Sequence, residues 1–461
     1  MTRRSQLPIF LLIALMVSSC DKRVSTNPIV QTQAAAQEAP KLPEVKPTIV
    51  ATQVEVTPRP KVVATPNPQA VTPVTPAKTV ILEPDSSAHV TPSGCALPPQ
   101  TTKLAPPIIP KQITGRLGLY VARIPSGTKE FAPIKVIEIN PQGQFPLASN
   151  FKQSVLLEVL RQVDQGYIKL SEKFKVTRGS QSYGRYPYDG TDVMGLALAM
   201  IGWSDNTATD MLFRRVGIGS VQPIINDLQL CNTRVLLPTK AWWTAQAGLG
   251  GKDFPKYALV KATQKFANYP LEAQLKIAAR LDANAQNTNP ETLRRYLDNG
   301  YFAGRNGGVV TMSSIDRNIQ NASTPAEWAR FIHHEFVNSG LSNSSRKLFR
   351  DTMYHGKGRA FIRVPIKYFG GKSGNTARVL TYSGYLETNS GDRIIYVYFN
   401  DASQNLITRD ETPQAFYLIN AAIRKVMRPE DLIPIKKPTP KKPISTRVIT
   451  KANEPIKNLR N

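Results

Sequence analysis

The sequence predicts an α/β sandwich: one antiparallel sheet assembled from both ends of a single domain, with helices on both faces. Three observations carry the prediction. Runs rich in β-branched and aromatic residues occur near 115–139 and again near 379–400. Between them, apolar residues recur mainly at helical spacing. Outside 113–430 the composition cannot bury a core, because 17 of the 37 prolines fall within 21–112, among Val, Thr, Ala, Lys and Gln.

The elements follow in chain order. GRLGLYVARIPSGTKEFAPIKVIEI, beginning at Gly115, reads as two strands about a Pro-Ser-Gly turn. Phe151, Val155, Leu156, Val159, Leu160 and Val163 then mark one helical face, and Gly166 ends the run. Asp192 to Trp203 is apolar almost all round, which predicts a buried helix. A third helix is predicted from near Asn206 to Gly217. VLTYSGYLE and DRIIYVYFN read as strands joined by the turn Asn389-Ser390-Gly391, and FYLINAAIRKVM as a closing amphipathic helix. No internal repeat is present.

The extensions carry the address. Arg3 and Arg4 precede an apolar run, Leu7 to Val17, too short to span a bilayer, so residues 1–20 read as a signal peptide. Val17-Ser18-Ser19-Cys20 resembles a bacterial lipobox, which implies cleavage and diacylation at Cys20. Asp21 resembles an inner-membrane retention signal. The expectation is an exported protein, lipid-anchored to a bacterial membrane and facing the periplasm or the exterior. Residues 21–112 form a Pro-rich tether, 113–430 an enzyme-sized domain and 431–461 a basic Pro-rich tail.

The chain has 59 Lys/Arg against 33 Asp/Glu, a net charge of +26, of which +15 lies in 113–430. Such a charge attracts membrane headgroups, cell-wall carboxylates or nucleic acid. Export argues against nucleic acid, as does the dispersal of the basic residues without a stripe of stacking aromatics. A peptidoglycan partner fits the address, and the chain is expected to act as a monomer. Cys95 and Cys231 can pair in an oxidising compartment or stay as two inert thiols; spacing does not decide.

Three short motifs carry the chemistry. Ser149-Asn150-Phe151-Lys152 is Ser-x-x-Lys at a helix start, where positions i and i+3 share a face and bring the amine toward the hydroxyl. Alone it is uninformative, because Ser19/Lys22, Ser126/Lys129 and Ser344/Lys347 share the spacing and a Ser there is normally an N-cap. Ser204-Asp205-Asn206 lies between two predicted helices, where capping is the ordinary role. Lys372-Ser373-Gly374 precedes a β run and alone reads as a solvated turn.

Together and in this order the three resemble the motif set of class A β-lactamases and penicillin-binding proteins. FPLASNFK resembles the family's Phe-Pro-x-x-Ser-x-x-Lys, residues 188–212 resemble its stretch around Ser-Asp-Asn, and STPAEWARFI resembles its Thr-Pro helix start. The resemblance covers about 113–428 and implies a β-lactamase-like sandwich. It implies that Ser149 is acylated by a β-lactam or a D-alanyl peptide. Lys152, kept neutral by burial and the charge of Lys372, would take the Ser149 proton. Ser204 would pass a proton to the departing nitrogen, and Asn206 would hold Lys152 and the substrate amide. Lys372 and Ser373, beside Gly374, would bind the substrate carboxylate. The N–H groups of Ser149 and Asn375 would form the oxyanion hole.

The sequence also departs from the family. Its Glu-x-x-Leu-Asn, whose Glu frees the acyl group, is absent, and alignment from Asn232-Thr233-Arg234 puts Thr239 in the Glu position. Thr324 comes 118 positions after Asn206, so residues 240–320 read as an insertion or enlarged Ω-loop. Glu272 is the nearest imitation of the missing Glu, in surroundings that suit an exposed helical charge. Thr381 stands where many members carry an arginine, with Arg378 close by. His333-His334-Glu335 is a weak metal signal, since adjacent helical residues face different ways, and neither metal nor cofactor is expected. The readings are therefore a β-lactam hydrolase with slow release, a D,D-peptidase or penicillin-binding protein, or a vestigial cell-wall-binding lipoprotein.

Overall fold

A computed structural model describes Cys95, 101–305, 308–404, 406 and 411–433, without the side chains of 309 and 310. The chain divides into two units, Met1–Pro84 and Asp85–Asn461, and every described residue belongs to the second. The signal peptide, Cys20, nearly all of the tether and nearly all of the tail lie outside the described residues.

Six strands form the main sheet: β1 (Thr102–Lys103), β2 (Arg116–Ile124), β3 (Lys135–Ile139), β4 (Tyr368–Asn375), β5 (Leu380–Glu387) and β6 (Arg393–Asp401). Their order is β1-β3-β2-β6-β5-β4, antiparallel except for the parallel β1–β3 pair. Strands from both ends of the domain meet where β2 pairs with β6, Leu119 opposite Tyr398. The period of two then sorts side chains onto the faces. Ile395, Val397 and Phe399 enter one core, while Ile394, Tyr396 and Tyr398 enter the other.

Against the first face lie α1 (Lys152–Asp164), α2 (Val193–Leu198), α3 (Asn206–Val216) and α4 (Gln222–Asp227). The helix after Asp192 is shorter than expected, because Ala199–Trp203 continues as a wider π-turn.

Residues 235–321 fold largely as five helices: α5 (Thr239–Gln246), α6 (Leu259–Ala267), α7 (Leu271–Asn287), α8 (Pro290–Tyr296) and α9 (Gly308–Ile319). The expected enlarged loop is therefore a helical unit with its own core of Leu237, Trp242, Trp243, Phe266, Leu281 and Tyr301. Its ends meet: Arg234 N–H donates to Ala322 O at 2.8 Å and Ala322 N–H to Arg234 O at 3.0 Å.

The chain then returns to the first face as α10 (Pro325–Val337), capped by Thr324, and α11 (Asn343–Tyr354). The second face is covered by α12 (Glu411–Val426). No helix among the described residues is long and apolar enough to cross a membrane.

Two expectations are corrected. The folded part begins before 113, since Thr102 and Lys103 pair with Lys135 and Val136, and Leu104 packs on the second core. Pro106, Pro107 and Pro110 do not prevent this, because a proline's fixed φ suits extended chain. Lys372-Ser373-Gly374 is not a solvated turn ahead of a strand but lies inside β4, with Lys372 buried. Cys95 and Cys231 form a disulfide with Cα atoms 5.5 Å apart.

Candidate active site

The turn Ala148–Phe151 delivers Ser149 to the N-terminal end of α1. Ala148 adopts φ 44°, a left-handed conformation unfavourable for a residue with a Cβ. Neighbours hold it there. Leu147 N–H donates to Asn321 O at 2.8 Å, and Thr381 Oγ1 lies 3.1 Å from Leu147 O. Strand β4 passes so close that a Cβ at Gly374 would stand 2.4 Å from Ser149 N, so only glycine fits. The partly exposed Ser149 thus lies against Gly374, beside Asn375 at the exposed end of β4.

Ser204 reaches the same place from the other wall. After the π-turn it takes φ 59°, ψ 33°, and Asp205 then caps α3 by accepting from Ala208 N–H. The buried Lys152 amine donates to Ser204 O at 2.7 Å, Asn206 Oδ1 at 2.7 Å and Ser204 Oγ at 3.3 Å. Lys372, buried on β4, donates to Ser204 Oγ at 2.9 Å and Ser373 O at 2.6 Å. Asn206 Nδ2 donates to Tyr183 O at 2.7 Å, which turns its Oδ1 toward Lys152. The amine expected to reach Ser149 is thus directed at Ser204 and Asn206; among the described residues no hydrogen bond joins it to Ser149.

Burial sets the electrostatics. It pulls the Lys152 amine down to about 7, with Asp210 and Asp205 pulling up and Lys357 pulling down. Lys372 is held well below its ordinary value by burial, then by the charges of Lys152 and Lys357. The exposed Lys357, between α11 and β4, therefore acts on both amines. Sequence reasoning missed it, since nothing in HGKGRA marks a residue that tertiary folding brings to the site. The charge that sequence reasoning set against Lys152 was that of Lys372, and the two amines do meet, both within 3.3 Å of Ser204 Oγ. Lys357 adds to it.

Thr239 is buried at the start of α5. Its N–H and hydroxyl donate to Asp210 Oδ1 at 2.5 and 2.7 Å, and Lys240 N–H donates to Asp210 Oδ2 at 2.7 Å. Asp210, on α3, thereby caps a helix of the inserted unit. Glu272 is exposed and paired with Lys276 at 2.6 Å on α7. Arg378 donates to Ser403 O and Gln404 O, both at 2.8 Å, so its guanidinium is committed elsewhere. His333 packs against Phe131 at 5.6 Å.

Among solved structures, the chain is similar to the class A β-lactamase of the last common ancestor of Gram-negative bacteria (GNCA4), 17% identical, TM-score 0.45, covering 69% of this chain and 96% of that one. An ancestral class A enzyme (GNCA) is 18% identical, TM-score 0.44, over 68% and 95%. A mutant of PBP-A, solved as its acyl-enzyme complex with penicillin G, is 17% identical, TM-score 0.43, over 68% and 92%. No curated relative matches. The model of the β-lactamase enzyme family matches residues 105–427, seven-tenths of the chain and all of the site above, so the chain belongs to that family and is a serine hydrolase.

Proposed function

We propose that Ser149 is the nucleophile, that β-lactams acylate it, and that the acyl group leaves slowly. The observation that carries this reading is the buried Lys152 amine, one helical turn from Ser149, with its pKa near neutrality. Neutral Lys152 takes the proton as Ser149 Oγ attacks the lactam carbonyl carbon. The carbon–nitrogen bond breaks, and Ser204, between Lys152 and Lys372, passes a proton to the leaving nitrogen. Lys372 and Ser373 receive the substrate carboxylate, and the N–H groups of Ser149 and Asn375 receive the developing oxyanion.

Slow release is supported by Thr239, committed to Asp210, and by Asp210 itself, whose oxygens both accept backbone N–H groups. Neither can activate a water. The same observation favours a second reading, a D,D-peptidase acting on D-alanyl peptides, because it requires acylation without rapid penicilloyl hydrolysis. We also propose that Cys20 is lipid-modified and holds the domain at a bacterial membrane beside peptidoglycan.

Mass spectrometry after mixing with penicillin tests the main reading. The expected result is a persistent adduct on Ser149, absent from Ser149→Ala, with steady turnover slower than adduct formation. Rapid turnover without an adduct would overturn slow release. Neither adduct nor turnover would overturn acylation and favour a vestigial site.

A further inference from the structure

The inserted helices hold a cavity of about 880 Å³, within the range of small-molecule sites. Four cations line it, Lys256, Lys261, Arg295 and Arg305, and no Asp or Glu does. Residues 240–320 contain six acidic side chains, and all are engaged elsewhere. Asp253, Glu272, Asp282 and Glu291 are in ion pairs with Arg280, Lys276, Arg214 and Arg178. Asp298 accepts from Tyr183 OH, and buried Asp316 accepts from Tyr301 OH. The four cations therefore share one concave surface with no carboxylate in ion-pair contact among the described residues. Such a surface attracts an anion.

Two further features narrow its chemistry. Tyr257 is 94% exposed at the cavity, and the Tyr296 ring lies within 5.7 Å of the Lys256 amine. Flat amphipathic rings on a concave surface that mixes apolar side chains with cations suit the faces of sugar rings. Gln246, 2% exposed, contributes to the lining; its Nε2 donates to Asp316, while Oε1 is buried without a partner. A buried acceptor left unpaired is costly, and a ligand hydroxyl or amide N–H would satisfy it.

We propose that this cavity binds a carboxylate-bearing glycan, with acid groups at the four cations, ring faces on Tyr257 and Tyr296, and a hydroxyl or amide donor at Gln246 Oε1. A phosphodiester backbone fits less well, since it carries no donor for Gln246 and needs a basic track running beyond one pocket. The proposal does not rest on the chemistry of Ser149.

Calorimetric titration of full-length Ser149→Ala with soluble disaccharide-peptide fragments of peptidoglycan tests it. In that background, Lys261→Glu with Arg305→Glu is expected to weaken binding about tenfold or more, as two charge-assisted contacts become repulsive. Tyr257→Ala should weaken it several-fold. These side chains are exposed, so unchanged circular dichroism and melting temperature serve as the folding control. No binding by the parent, affinity unchanged in both variants, or tighter binding of a single-stranded oligonucleotide of equal charge would each overturn the proposal.

Discussion

Ser204 Oγ accepts hydrogen bonds from two buried amines, Lys152 at 3.3 Å and Lys372 at 2.9 Å. Two ammonium groups on one oxygen repel, so the pair favours carrying less than its full charge. Because the amine that receives the Ser149 proton must be neutral, acylation by penicillin should rise with pH through about 7, as Lys152 loses its proton. Stopped-flow acylation rates across pH 5.5–9 check this; a flat profile would remove Lys152 as the base. Lys152→Ala should lower the acylation rate about 10²–10⁴-fold. The motif residues were legible because Ser149 and Lys152 are local to one helix turn, and because the three motifs keep a family order. Lys357 and Asp210 were not, since their effect depends on proximity created by tertiary folding rather than by one helix turn.

At the scale of elements, Asp210 connects the site to the inserted unit by capping α5 from α3. Asp210→Ala leaves the N–H groups of Thr239 and Lys240 without their acceptor and removes one of the two carboxylates near Arg214, which keeps Asp282. We expect a cost of about 3 kcal/mol, read as a lower denaturation midpoint. The same substitution removes the strongest influence raising the Lys152 pKa, so the rise of acylation with pH should move to lower pH. A purely structural role would change stability without moving that profile. The helices with clean 3.6-residue periodicity, α1, α3 and α12, were readable from sequence to within a few residues. The π-turn before Ser204 was not, because nothing in DVMGLALAMIGW distinguishes five-residue from four-residue hydrogen bonding. Strand β4 was missed for a related reason: Gly370, Gly371 and Gly374 lower its β propensity, yet close approach to Phe336, Phe369 and Ser149 requires them.

For the whole molecule, the Cys95–Cys231 disulfide closes 136 positions of chain and ties the start of the folded region to the segment after α4. Cys231→Ser should lower stability by about 2–5 kcal/mol, measured by urea unfolding without reductant. Peptide mapping should recover the two cysteines as one linked peptide pair. Cys20→Ser should release the protein from membranes into the soluble fraction; a wild type already soluble would remove the anchor. The layering of the sandwich was legible because β-rich runs stand at both ends of 113–430. The fold of 235–321 was not, since its helices bury one another rather than following the surrounding frame. The paired ends of that segment have a practical corollary. Arg234 and Ala322 face each other across two hydrogen bonds, the spacing at which a two-residue hairpin turn joins adjacent strands. Asn-Gly in place of 235–321 would reconnect the chain without stretching it, making the helical unit a removable cassette. Excision would sacrifice, among other contacts, the Asn321 carbonyl that holds Leu147, the two N–H groups that occupy Asp210 and the Asp282 partner of Arg214.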